Sequence, residues 1–280
     1  MRCRYGILLC LAILILCPFP ARADELLVSA ASSLTDAFNE IGSAFTKAHP
    51  QTTVRFNFAA SGPLQQQIEQ GAPVDVFASA SAKEMDALQK ANRLEPKTRL
   101  NFVGNRLVLI APRGSKLKGW NDLKAATVRR IAISNPDSVP SGRYAKETLT
   151  RHGLWPLVQP KTVFGENVRQ TLAYVANGDV DAGLVFATDA RIASQKVRVV
   201  QTAVPGKDHQ PILYPAAVIA GAPHAVAARQ FMAFLQGSTA QHILLRYGFA
   251  TTRLLASPSA QHTPIQTKLH GWPRQSQVHR

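Results

Sequence analysis

Residues 25–48 read ELLVSAASSLTDAFNEIGSAFTKA, and the period of the apolar residues changes halfway through. The first six residues, 25–30, form a short β-like run. From Leu34 onward, Leu34, Phe38, Ile41 and Phe45 recur at i, i+4, i+7 and i+11, the spacing of one face of a helix. Between the two lies Ala31-Ser32-Ser33, a turn of small residues. A strand that runs through such a turn into an amphipathic helix is the repeating unit of an α/β domain.

The same unit recurs along the chain. Strands are expected at 25–30, 53–58, 74–78, 106–111, 130–134, 161–164, 182–186, 197–201 and 214–220. Helices are expected at 34–48, 64–70, 82–91, 120–125, 143–152, 168–177, 225–235 and 239–247. The middle of this pattern reads as a second α/β unit set into the first, with crossings near 102–106 and 212–214. Two crossings make a hinge, and a cleft between lobes suits a small ligand.

Four of the expected helices share one kind of start. Ala31-Ser32-Ser33 precedes Leu34, and Ala59-Ala60-Ser61-Gly62-Pro63 precedes Leu64. Ser138-Val139-Pro140-Ser141-Gly142 precedes Arg143, and Gly165-Glu166-Asn167 precedes Val168. A helix start leaves backbone N–H groups unpaired and carries partial positive charge. Small residues let an anion approach those groups, and serine adds a hydroxyl donor. Serine is also a preferred N-cap, so any one of these turns taken alone is more often structural than ligand-binding.

The ends of the chain have a different character. Arg2 and Arg4 precede an apolar run over 6–17, which Pro18 and Pro20 end before Ala21-Arg22-Ala23, the pattern of a cleaved export leader. Residues 1–23 are therefore expected to be a signal peptide, and the mature protein to be a soluble periplasmic one. Cys17 raises the alternative of a lipid anchor, although Leu16 is larger than the residue that usually precedes a lipidated cysteine. All three cysteines, Cys3, Cys10 and Cys17, fall in the leader, which leaves no thiol for a disulfide, a metal or catalysis. Residues 253–280 are polar, carry irregularly spaced histidines and read as a disordered tail.

The formal charge is +15, and removing Arg2, Arg4 and Arg22 leaves +12. Such a charge attracts anions without building a site. The basic residues are scattered, with no run longer than Arg129-Arg130, so nucleic acid is not an expected partner. There is no nucleophile elbow, phosphate loop, Ser-His-Asp set or metal triad, so no enzyme activity and no cofactor are expected.

Over 25–249 the chain resembles the molybdate-binding periplasmic proteins of ABC transporters, the molybdate/tungstate substrate-binding family. The resemblance is carried by Ala30-Ala31-Ser32-Ser33-Leu34, Phe58-Ala59-Ala60-Ser61-Gly62, the run from Gln67 to Phe77, Gly104-Asn105-Arg106-Leu107-Val108, Val139-Pro140-Ser141-Gly142-Arg143-Tyr144-Ala145-Lys146, Glu166-Asn167-Val168-Arg169 and Arg246-Tyr247-Gly248-Phe249. It implies a type II two-lobed clamshell in which each lobe is a mixed sheet flanked by helices. Lobe 1 would take 24–103 and 214–252, and lobe 2 would take 104–213.

The resemblance also implies a site and a working cycle. The oxyanion, molybdate or tungstate, would be held by Ser33 and Ser61 from one lobe and by Ser141 and the Val168 N–H from the other. Phe186 stands in Gly183-Leu184-Val185-Phe186, where the family usually has a tyrosine whose hydroxyl donates to the ligand. The hydroxyl of Ser141, where many relatives have alanine, is expected to replace part of that donor. Arg143 and Arg169 read as flanking charges that steer anions, and Asp75 as a structural hydrogen-bonding residue. A monomer would close on the ligand and dock on a membrane permease with a separate ATPase. Sulfate or another tetrahedral oxyanion is the alternative ligand.

Overall fold

The computed structural model describes residues 24–252; the expected leader and tail lie outside the described residues. Two five-stranded mixed sheets organise the chain. The first has the order β2-β1-β3-β10-β4, formed by β1 (Asp24–Ala31), β2 (Thr52–Ala59), β3 (Val76–Ala78), β4 (Leu100–Asn105) and β10 (Ile212–Val218). The second has the order β7-β6-β8-β5-β9, formed by β5 (Leu107–Pro112), β6 (Ile131–Ser134), β7 (Thr162–Gly165), β8 (Ala182–Phe186) and β9 (Val197–Thr202).

Each sheet combines a parallel trio with antiparallel strands. In the first, β1 pairs parallel with β2 and β3, and β10 runs antiparallel to β3 and β4. In the second, β6 pairs parallel with β7 and β8, and β5 runs antiparallel to β8 and β9. The chain leaves the first sheet after Asn105 and enters the second at Leu107. It returns at Ile212, whose register partner is Asn105.

The helices follow from the apolar pattern. In α1 (Thr35–Ala48), Phe38, Ile41 and Phe45 are buried, and so is Leu34 just before it. Phe38 and Phe45 pack edge-on against Phe231 of α8 (Ala225–Gln236), which closes that face of the first sheet with α9 (Ser238–Arg246). The opposite face holds α2 (Ser61–Glu69) and α3 (Ala82–Lys90), where Leu64, Ile68, Met85 and Leu88 form a smaller core with Phe77. The second sheet is flanked by α4 (Pro140–Arg151), the short α5 (Trp155–Val158), α6 (Val168–Ala176) and α7 (Ala187–Ile192).

Several elements differ from the sequence expectation: α5 and α7 were not expected, and α2 and α4 begin three residues early, at Ser61 and Pro140. Residues 100–105 form β4 rather than a bare crossing. Its Asn101, Gly104 and Asn105 hide the strand pattern, and its pairing comes from the distant β10. The 34–48 helix begins one turn earlier, as a 3-10 turn at Ser32–Leu34. The parallel strands β1, β2 and β7 each run within two intervening residues into a helix or 3-10 turn, and β6 reaches α4 through residues 135–139, on the side on which open α/β sheets bind ligands.

Candidate functional site

Ser33 lies in the 3-10 turn that follows β1. It is buried, and its Oγ is 2.8 Å from the hydroxyl oxygen of Tyr214 on β10. Ser61 is the first residue of α2 and is fully buried; its Oγ accepts from the backbone N–H of Ala80 at 3.0 Å. Pro63 supplies no N–H, and Leu64 N–H bonds Ala60 O. Among the described residues the N–H groups of Ser61 and Gly62 have no acceptor.

The second sheet contributes α4 and α6. Pro140 opens α4 with its backbone angle preset. Arg143 N–H bonds Val139 O, and the N–H groups of Ser141 and Gly142 are left open among the described residues. In α6 the side chain of Asn167 accepts from the N–H groups of Arg169 and Gln170, at 2.9 and 3.0 Å, and Thr171 N–H bonds Asn167 O. Only the Val168 N–H of that first turn has no acceptor among the described residues, and Val168 is 2% exposed. Buried N–H groups are almost always paired, so open ones clustered at helix starts mark a place for an acceptor.

These four starts are tied into one ring. β1 and β2 lie side by side to their ends, with Ala31 opposite Ala59, which sets the Ser33 turn beside the start of α2. Gly62 of α2 meets Ser138 just before α4 so closely that an added Cβ would stand 2.2 Å from Ser138 O. Ser141 donates to Ser134 Oγ at 2.8 Å, Ser134 Oγ lies 2.9 Å from Thr171 Oγ1, and Thr171 Oγ1 donates to Asn167 O, so α4 is joined to α6. The start of α6 packs against the 3-10 turn carrying Ser33, closing the ring. Ser33, Ser61, Ser141 and Val168 thus lie on four helix or 3-10 starts, two from each sheet, that these contacts link, and no charged side chain is among them.

Phe186 ends β8 beside this ring. It is buried, with its ring 5.9 Å from that of Tyr214 and 6.4 Å from that of Tyr144. The compensation expected from Ser141 is not what its hydroxyl does, because that hydrogen goes to Ser134. Ser141 offers its backbone N–H instead.

Arg143 and Arg169 also differ from the sequence expectation. Neither is a free steering charge. Arg143 crosses the cleft to pair with Glu84 and bonds Ser81 Oγ at 3.0 Å. Arg169 reaches Asp36 of α1 and also Asp189 of α7. Burial pushes the Asp189 carboxyl up to about 6 against the pull of Arg169. Burial likewise raises the Tyr214 hydroxyl well above its usual range, so it stays protonated. Asp75 has the structural role expected of it, accepting from the N–H groups of Leu27 and His224, each at 2.8 Å.

Sequence reasoning gave no role to Tyr214, Asn105, Ser134, Thr171, Glu84 or Asp189. Asn105 was quoted within Gly104-Asn105-Arg106, and Tyr214 stood at a crossing; those positions were the only signals.

Comparison with known proteins shows the family. The family model for bacterial extracellular solute-binding proteins matches residues 26–250. A putative ABC transporter substrate-binding lipoprotein, YvgL of Bacillus subtilis, is 39% identical over 80% of this chain and 85% of its own. The molybdate-binding protein ModA of Escherichia coli is 38% identical over 82% of this chain and 91% of its own. A solved structure described as the substrate binding domain of a putative molybdenum ABC transporter from Clostridium difficile is 38% identical. It superposes with a TM-score of 0.65 over 81% of this chain and 98% of that one.

Proposed function

The chain belongs to the bacterial extracellular solute-binding protein family, whose members are binding proteins and not enzymes, and from that premise we propose that it captures molybdate or tungstate in the periplasm and delivers it to an ABC permease. One observation carries the reading. Buried helix starts from two different sheets carry N–H groups without acceptors among the described residues and are linked by direct contacts, and Arg143 and Arg169 beside them are already paired. Dipoles and neutral hydroxyls suit a dianion that must be held and later released, because they bring no counter-charge that would have to be separated again.

In this reading Ser33 and Ser61 bind from lobe 1 (24–103 and 214–252), and the N–H groups of Ser141 and Val168 bind from lobe 2 (104–213). Phe186 forms an apolar wall. The ligand gains both sets of contacts only when the lobes are closed, so it shifts the population toward the closed form that docks on the permease. The ATPase is a separate chain, and the binding protein acts as a monomer. The relatives named as molybdate-binding support this ligand over sulfate. Among the described residues no helix is long and apolar enough to cross a membrane.

Thermal unfolding of the protein with molybdate, tungstate, sulfate and phosphate, each near 1 mM, tests the reading. A ligand at about 1,000 times its dissociation constant adds roughly 4 kcal/mol of stability. A large shift with molybdate and tungstate is expected. A shift with sulfate alone would transfer the site to that anion, and no shift with any of the four would remove the oxyanion reading.

A further inference from the structure

Around Ser33 the direction of each hydrogen bond can be assigned. Asn105, at the end of β4, is buried, and its Oδ1 accepts from the backbone N–H of Arg106 at 2.9 Å. That contact fixes which end of the amide is oxygen, since a backbone N–H only donates. Nδ2 therefore faces Thr188 Oγ1 at 3.0 Å and the Tyr214 hydroxyl oxygen at 3.2 Å, and it donates to both. Tyr214 already accepts from Asn105, and its own hydrogen is directed to Ser33 Oγ at 2.8 Å. The opposite assignment would leave a tyrosine hydrogen without an acceptor in a fully buried place, which is as costly as losing a hydrogen bond.

With its oxygen already accepting, Ser33 has one hydrogen left and no protein acceptor for it among the described residues. Ser61 is set up in the same way, its oxygen taken by the Ala80 N–H. Ser141 is the reverse. Thr171 Oγ1 donates to the Asn167 carbonyl, so Ser134 donates to Thr171 and Ser141 to Ser134, which spends the Ser141 hydrogen.

We propose that Tyr214, oriented by Asn105, is a positioning residue for anion capture: its hydroxyl donates to Ser33 Oγ and so commits the only Ser33 hydrogen to the bound oxyanion. The proposal rests on the reading that the cleft takes an oxyanion, and it deepens that reading. That hydrogen needs an acceptor lone pair, which every oxygen of a fully deprotonated tetrahedral dianion presents in any orientation. Tyr214 also has the Phe186 ring of the second sheet against its own, so the relay lies at the seam between the two sheets.

The test is a double-mutant cycle with Tyr214→Phe, Ser33→Ala and the double variant, titrated calorimetrically with molybdate, with melting temperatures measured alongside. Tyr214→Phe removes one oxygen and keeps the ring. We expect it to weaken binding about tenfold in the wild-type background, in line with the loss of a well-directed bond to a charged group. In the Ser33→Ala background it should have no further effect. An equal loss in both backgrounds would overturn the positioning role and leave Tyr214 as a packing residue.

A second measurement needs no ligand. In the free protein the Tyr214 hydroxyl proton should exchange slowly and show a nuclear Overhauser contact to the Ser33 methylene. Its absence would overturn the assigned direction even if molybdate binds. If that proton is present while the wild type binds none of molybdate, tungstate, sulfate or phosphate, the oxyanion reading fails and the proposed purpose of the relay fails with it.

Discussion

Arg169, on the first turn of α6, places its Nη2 2.6 Å from Asp36 of α1 and its Nε 2.7 Å from the fully buried Asp189 of α7. One guanidinium thus closes the cleft and also neutralises a carboxylate that water cannot reach. Neither Asp189 side-chain oxygen accepts a well-aligned hydrogen bond among the described residues, which makes Arg169 its main support. Replacing Arg169 with alanine is expected to cost about 3 kcal/mol at pH 7, the usual order for stranding a buried charge. The loss should be smaller at pH 5, where Asp189 is neutral. Denaturant melts at the two pH values measure both figures.

Asp189 itself gives a pH dependence of defined sign. Its folded-state value, pushed up to about 6, lies above the unfolded carboxylate near about 3.9. The folded protein therefore binds the proton more tightly than the unfolded chain does. Its contribution is most favourable below about pH 4, declines by roughly 2–3 kcal/mol as pH rises to about 6, and is level above that. Asp189→Asn should remove this slope from a plot of stability against pH between 4 and 7.

The three site serines should separate on substitution. Ser33→Ala and Ser61→Ala each remove a hydroxyl free to donate, and each is expected to weaken molybdate binding by about 1.5–3 kcal/mol. Ser141→Ala should leave affinity within about threefold, since its hydrogen bonds Ser134, and should cost about 1 kcal/mol of stability. Calorimetric titration and thermal melts of the three variants distinguish the two effects.

Gly62 and Gly142 are both intolerant of a side chain, with different consequences. At Gly142 an added Cβ would stand 2.1 Å from Ser134 O, within the unit built on the second sheet, where opening the cleft gives no relief. Gly142→Ala should cost about 1–3 kcal/mol of stability through overpacking. At Gly62 the obstacle is Ser138 O across the cleft, and opening relieves it. Gly62→Ala should melt like the wild type, yet bind molybdate far more weakly and stay extended in small-angle scattering when the ligand is added.

Phe186→Tyr tests the wall of the site. The ring already packs between Tyr144 and Tyr214, so a hydroxyl added at its end replaces no existing bond. If that hydroxyl reaches the anion, molybdate should bind about 1.5–3 kcal/mol more tightly. Unchanged affinity and unchanged rank among molybdate, tungstate and sulfate would show that Phe186 is neutral toward the ligand.

Much of the fold was legible because it is written locally. Leu34, Phe38, Ile41 and Phe45 kept their helical spacing and are all buried. The serine turns marked the helix starts for the same reason, as small residues between two changes of period. The partners that decide chemistry were not legible. Tyr214 and Ser33 are 181 residues apart, and Arg169 and Asp36 are 133 apart. Such pairs are made by sheet order, and that order depends on β10 returning between β3 and β4, which no short-range pattern encodes. Ser141 was misjudged for that reason: its residue type was visible, but the Ser134 and Thr171 that take up its hydrogen were not.

The contact between Gly62 and Ser138 sets a gauge. Backbone meeting backbone cannot be compressed as a pair of long side chains can, so the two jaws stop at a fixed gap whatever lies between them. Donors mounted on a frame that has reached its stop cannot follow a smaller tetrahedral anion inward. The cleft then works as a caliper, and a fit too loose is rejected by the rigidity of the frame, with no repulsive group needed.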